Sequence, residues 1–201
     1  MKSDIILSGV GGQGILSIAA TIGMAALENN LHLKQSEVHG MSQRGGAVES
    51  HLRISDKEIA SDLIPLGKAD LIISVEPMES LRYLPYLAES GWLVTNITPF
   101  INIPDYPNIE IVIKEIESLP HHIAINADEI AKQIKSARSS NMVMLGAASP
   151  FLEIPYESLE NGIRKIFGRK GEKVVNLNIN ALKAGREFSL QNSKSTMSAR
   201  R

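Results

Sequence analysis

An apolar run that ends in glycine dominates the amino end of this chain: Ile5-Ile6-Leu7-Ser8-Gly9-Val10-Gly11-Gly12-Gln13-Gly14. Ile15 to Leu27 then reads as a helix, so the order is strand, tight turn, helix. Glycine has no Cβ, and Gly9, Gly11, Gly12 and Gly14 therefore allow backbone to approach another group closely. The free N–H groups that open the following helix favour an anion. Two readings stand side by side. The turn is a phosphate or dinucleotide cradle, or it is a tight bend that lets helix and sheet pack closely.

A dinucleotide site also needs an acidic residue at the end of the second strand, roughly 20 residues on, to hold a ribose. Between Asp4 and Glu37 the only acidic residue is Glu28. Glu37 itself runs directly into a polar loop, His39-Gly40-Met41-Ser42-Gln43-Arg44-Gly45-Gly46. The first half of the fingerprint is present and the second half is badly placed. No Gly-Lys-Ser/Thr comes after the glycines, which counts against an ATPase.

Further along, hydrophobic runs alternate with helical periodicity. Leu31 to Val38 and Ala47 to Ile54 read as strands, the second with a wetter face that suits a place near a sheet edge or a partner. Asp70 to Val75 and Trp92 to Asn96 read as buried strands, and the aliphatic run Ile109 to Ile113 as a further one. Met78 to Leu87 reads as a helix opened by Pro77 and kinked or ended by Pro85. Pro99, Pro104 and Pro107 mark a loop suited to covering a site or meeting a partner. Asn126 to Ile134, Asn141 to Ala148 and a stretch opened by Pro155 read as helices, and Asn176 to Leu182 as a short one stopped before Gly185. The expected fold is α/β: a three-layer α/β/α arrangement with a mostly parallel sheet and a Rossmann-like glycine-rich first turn.

Length and composition set outer limits. A chain of 201 residues, 43% apolar and 21% charged, suits one domain with a good core. Its net charge of −1 advertises no nucleic-acid surface. Without cysteine it forms no disulfide and builds no ordinary thiolate-ligated iron–sulfur cluster by itself. There is no run of membrane-spanning length and no leader pattern at Met1-Lys2-Ser3-Asp4, so a cytoplasmic location is expected.

The densest polar cluster is Glu37, His39, Ser42, Gln43 and Arg44 among Gly40, Gly45 and Gly46. Arg44 suits a carboxylate or phosphate and His39 suits proton transfer; the same charges also suit contact with another chain. Glu76 comes after a buried strand, where α/β proteins place sites, but it also stands where it can offset the N–H groups of the next helix. Glu79 and Arg82 have the spacing of a helical ion pair. Asn96 ends a strand, able to hold the next turn or touch a ligand. The adjacent His121 and His122 point apart on any regular element, which argues against a metal site.

Taken together, Gly9-Val10-Gly11-Gly12-Gln13-Gly14 and Glu37-Val38-His39-Gly40-Met41-Ser42-Gln43-Arg44-Gly45-Gly46 resemble the gamma-type domain of the 2-oxoacid:ferredoxin oxidoreductases. Within that family the likeness is to the small (beta) subunits of the indolepyruvate branch. Ala69-Asp70, Glu76 to Tyr83, Asn96, Asn141 to Gly146 and Asn180 to Gly185 agree with it, and the match covers most of residues 3 to 186. The resemblance implies a gamma-type catalytic domain over 1–189 and then a flexible tail over 190–201. It implies oxidative decarboxylation of an aryl 2-oxoacid such as indolepyruvate, with coenzyme A as co-substrate and ferredoxin as electron acceptor.

The resemblance also places thiamine diphosphate, Mg2+ and the iron–sulfur clusters on a large alpha subunit, with ferredoxin reached through the complex and a homodimer open to the isolated chain. Residues Glu37, His39, Met41, Ser42, Gln43, Arg44, Glu76 and Asn96 then become candidates for an interface or active-site wall, His39 and Arg44 being the catalytic candidates. Two rival readings of the chain remain open: a self-sufficient NAD(P)-binding dehydrogenase and a non-catalytic scaffold.

Overall fold

The computed structural model describes residues 1–40, 45–101 and 103–198, with side chains to residue 193. Its centre is β1 (Lys2–Val10), in which Ile5, Ile6 and Leu7 are fully buried because both faces of the strand are covered. The sheet order is β2-β3-β1-β4-β5-β6. The other strands are β2 (His32–His39), β3 (Ala47–Ser55), β4 (Ala69–Ser74), β5 (Leu87–Asn96) and β6 (His122–Ile125). Pairing is parallel from β1 through β4 and β5 to β6, while β3 runs against both β1 and β2.

That topology explains the incomplete dinucleotide fingerprint. β3 pairs antiparallel with β2, and the Gly40 N–H donates to the Ala47 carbonyl (2.8 Å) at the end of the pair. β3 therefore takes the place beside β1, and β2 is displaced to the edge. Glu37 at the end of β2 lies two strand spacings, about 10 Å, from β1.

Helices cover both faces, which gives the expected three layers. One face carries α1 (Ile15–Glu28) and, from the carboxyl half, α4 (Ala127–Gln133), α5 (Ser140–Ala148), α6 (Tyr156–Phe167) and α7 (Glu172–Ser198). The other carries α2 (Pro77–Arg82) and α3 (Ile109–Ser118) over Ile6, Ile72 and Leu93. Pro77 opens α2, and Pro85 confines the residues after it to a single 3-10 turn, Leu84–Tyr86.

Two expectations about local structure are corrected. Residues 109–113 belong to α3 rather than to a strand. The Asn108 side chain caps that helix by accepting the Glu110 N–H (2.8 Å), and Ile109, Val112, Ile113 and Ile116 repeat at helical spacing. The strand that completes the sheet is β6, which is only four residues long. Likewise Gly185 does not stop a helix: α7 passes through it, and through residue 190, without a break.

Gly185 is there for packing. A Cβ on it would lie 1.9 Å from the Val143 carbonyl oxygen, and one on Gly146 would lie 1.9 Å from the Leu182 carbonyl oxygen. The pair lets α5 and α7 touch backbone to backbone. Alanine ordinarily favours a helix over glycine by about 1 kcal/mol. Here a backbone clash opposes it, so Gly185→Ala is expected to destabilise the fold by about 1–3 kcal/mol, measured by urea denaturation.

Burial also sets a pH limit. It pushes Tyr156, with Glu160 as the second cause, and Tyr83, with Glu49 as the second cause, up to about 12. The Tyr156 hydroxyl has no hydrogen-bond partner among the described residues, and the Arg186 guanidinium stacks 4.6 Å over its ring. A raised phenol favours the folded state below its unfolded value of about 10, and that stabilisation is lost as pH rises through the folded value. Melting temperature is expected to fall between about pH 10 and 12, and Tyr156→Phe to flatten that fall.

Candidate functional site: the glycine turn and its surroundings

The site lies at the carboxyl ends of β1 and β4, where α1 leaves toward one face and α2 toward the other. Gln13 spans this crevice. Its Oε1 accepts the Val10 N–H (2.8 Å) and its Nε2 donates to the Val75 carbonyl (3.4 Å). A carboxamide thus sits at the switch point where a dinucleotide fold admits its ligand.

The four glycines serve different purposes. A Cβ on Gly9 would lie 2.3 Å from Val75 Cγ2, so this position holds β1 and β4 close. Gly11 donates its N–H to the Gly46 carbonyl (2.9 Å), and the Gly45 N–H donates back to the Gly11 carbonyl (3.4 Å). Gly14, at φ +84°, caps α1 in the left-handed region, against Asn141, whose Nδ2 donates to the Gly14 carbonyl (3.1 Å). Only Gly12 is exposed, with nothing near its missing side chain.

Beside Gly12 and Gly14 opens a cavity of about 900 Å³. Its walls come from the first turn of α1, the α4–α5 connection, the end of α6 and the start of α7. Lys135, Arg138 and Lys170 line it, the Lys170 Nζ lying 5.5 Å from the Phe167 ring centre, and none of them forms an ion pair with a carboxylate among the described residues. Ser139, which opens α5 without capping it, lines the same space. Two helix amino ends and three cations therefore converge on one cavity, an arrangement that suits a polyanion. None of the three cations stood out in the sequence. The available signal was Lys135-Ser136-Ala137-Arg138-Ser139-Ser140, a basic, serine-rich run just ahead of an apolar helix.

Gly45 and Gly46, which lead into β3, are joined to the glycine turn by their hydrogen bonds with Gly11. At the end of β2, His39 Nε2 meets the Glu37 carboxylate, the carboxylate largely buried and the imidazole half-exposed. Met41, Ser42, Gln43 and Arg44 lie outside the described residues.

Glu76 is fully buried and has three donors among the described residues. It caps α2 by accepting the Glu79 N–H (2.8 Å), and it also accepts the Phe100 N–H (3.3 Å) and the Tyr106 hydroxyl. Burial, then the hydrogen bond to Glu76, holds the Tyr106 phenol well above its usual range. Glu76 is thus both a helix cap and the anchor of the proline-rich loop. Arg82 pairs with Glu79 as its spacing predicts (2.8 and 3.2 Å).

Asn96 ties β5 to α4, accepting the Ala127 N–H (3.1 Å) and donating to Asp128 (2.9 Å) and to the Val75 carbonyl (3.4 Å). It lines a second cavity of about 330 Å³, together with Gln13, Phe100 and Asn141. His121 stacks on Trp92 (5.2 Å), whereas His122 Nδ1 meets the Leu119 carbonyl (2.8 Å), so the adjacent histidines do point apart.

Known proteins share both the sequence and the fold. Residues 4–188 match the family model for pyruvate ferredoxin/flavodoxin oxidoreductase. The chain is 37% identical over 194 residues to the indolepyruvate oxidoreductase subunit IorB of Archaeoglobus fulgidus, covering 92% of this chain and 94% of that protein. Its fold aligns with pyruvate oxidoreductase subunit PORC from Thermotoga maritima, with a TM-score of 0.68 and 25% identity over 92% of this chain and 96% of that one. It also aligns with the 2-oxoglutarate:ferredoxin oxidoreductase of Magnetococcus marinus, solved with 2-oxoglutarate, coenzyme A and succinyl-CoA bound. There the TM-score is 0.75 and the identity 23%, over 94% of this chain but only 31% of that one. With a family model spanning nearly all of β1 to α7, this chain belongs to the pyruvate ferredoxin/flavodoxin oxidoreductase family.

Proposed function

We propose that the chain is the small subunit of a thiamine-diphosphate-dependent oxidoreductase. This enzyme converts an aryl 2-oxoacid such as indolepyruvate to the aryl-acetyl-CoA while reducing ferredoxin. The observation that carries the reading is the near-full-length likeness to an indolepyruvate oxidoreductase subunit. The sequence has no cysteine to ligate a cluster and no Gly-Asp-Gly stretch of the kind that opens a thiamine–Mg2+ motif. Its residues do not fit those groups, and the reading assigns them to the large subunit. Among the described residues no helix is long and apolar enough to cross a membrane.

In this reading the chain contributes surface and charge. The ridge made by Gly9–Gly14 and the loop from Glu37 to Gly46 packs on the large subunit and closes one side of the approach to the reaction centre, keeping water away. His39 and Arg44 are the residues on it suited to touch substrate. Beside the ridge, Lys135, Arg138 and Lys170 offer the phosphates of coenzyme A a cationic wall, with the exposed Gly12 and the Gly14–Ser17 helix start opposite.

Purification from the native source is expected to recover the chain in fixed stoichiometry with a cysteine-rich, thiamine-containing partner, and the chain alone to show no turnover of indolepyruvate. In the complex, the double variant Arg138→Ala, Lys170→Ala raises the KM for coenzyme A at least about tenfold, since each lost charge-assisted contact is worth about 1.5–3 kcal/mol. The KM for the oxoacid stays unchanged; a KM for coenzyme A that does not move rejects the cavity assignment. Arg44→Ala lowers turnover at least about tenfold with association intact. Normal association and normal turnover together remove Arg44 from any essential role.

A further inference from the structure

We infer that Lys132, Arg169 and Lys173 form a cationic collar around the basic cavity, which draws coenzyme A in by its phosphates before the lining residues hold it; this deepens the coenzyme A reading above and rests on it. Two short segments, residues 132–141 and 164–173, flank the cavity and supply its three lining cations. Together they hold eight of the chain's 21 basic residues and one of its 22 acidic ones, Glu172. The net charge of −1 therefore hides a strong separation, a positive mouth on an otherwise acidic chain.

The collar residues do not line the cavity, but each stands close in the chain to one that does. Lys132 comes three residues before Lys135, Arg169 adjoins Lys170, and Lys173 precedes Val174. All three are exposed, and none forms an ion pair among the described residues. Lys165, by contrast, pairs with Glu28 (3.4 Å), so its charge is used within the fold. Lys135 adopts φ +57°, a left-handed conformation that suits glycine or asparagine better. A lysine at that position keeps a charge at the mouth in spite of its backbone.

The two sets of charges have different work. A lone exposed charge adds little to equilibrium affinity, because water screens it. Several like charges around a concave mouth sum to a field that raises the capture rate of an oppositely charged ligand by about 10- to 1,000-fold. Arg138 and Lys170, in the cavity wall, therefore slow release, and the collar speeds arrival. Salt removes the collar's share, since the screening length shrinks from about 30 Å at 0.01 M to about 3 Å at 1 M. A ligand with several phosphates gains most from such a mouth, and an uncharged thiol gains nothing.

The test uses the purified complex of both subunits and an etheno-adenine analogue of coenzyme A, followed by stopped-flow fluorescence. The collar variant is Lys132→Gln, Arg169→Gln, Lys173→Gln. The control, Lys57→Gln, Lys68→Gln, Lys114→Gln, removes the same charge from exposed positions at the opposite end of the sheet and on α3. Thermal melts confirm that both are folded. At low ionic strength the collar variant is expected to lower the association rate constant about tenfold and to change the dissociation rate constant less than about twofold. In about 0.5 M salt the difference in association closes, and the control matches the unaltered complex throughout. If the collar variant associates as fast as the control while Arg138→Ala, Lys170→Ala still weakens coenzyme A binding, the collar is wrong and the cavity assignment stands. If neither set alters coenzyme A binding, the cavity assignment falls and the collar with it. If coenzyme A binds the collar variant normally but ferredoxin is reduced more slowly, the charges serve an acidic protein partner and the proposal is overturned.

Discussion

Gln13 is the fixed point at the carboxyl end of the sheet. Its carboxamide joins the last N–H of β1 to the carbonyl just beyond β4, and the glycines on either side bring the surrounding backbone within reach of it. Gly9 lets Val75 close in, and Gly14 lets Asn141 close in from α5. With these contacts made, the start of α1 has a single position. The basic cavity and the second cavity are then placed too, because each uses that start as one wall.

The same contacts explain how a Rossmann-like opening can serve something other than a dinucleotide. In a nucleotide-binding fold the switch point is left free for pyrophosphate. Here a side chain fills it, and an antiparallel strand separates β2 from β1. Open space with cationic walls appears one step away, on the side of α5 and α7. The anion-binding potential of the helix start survives, turned toward a different neighbour.

Much of this was legible in the residues. The Ile5–Gly14 run specified strand, turn and helix, Pro85 limited α2, and Glu79 and Arg82 paired at the spacing their positions predict. The failures have identifiable reasons. Ile109 to Ile113 is too short for periodicity to separate a strand from a helix, and the cap at Asn108 decides the matter. Gly185 carried the local signal of a helix end, and only the neighbouring backbone of α5 shows why glycine is required there. Lys135, Arg138 and Lys170 sit on two connections far apart in sequence, so no local pattern could gather them. The strand order was out of reach for the same reason: the position of β3 between β1 and β2 depends on a hairpin rather than on the strand's own composition.

The backbone contact between α5 and α7 bears on how the molecule is made. α7 closes one side of the sheet through Val175, Ala181 and Leu182, and it can sit there only when Gly185 meets Val143. During synthesis β1, β4 and β5 leave the ribosome long before that helix does. The apolar surface that α7 covers, on α5 and beside β6, therefore waits uncovered until α7 itself has been made, which makes the nascent chain a natural client for chaperones that shield hydrophobic surface.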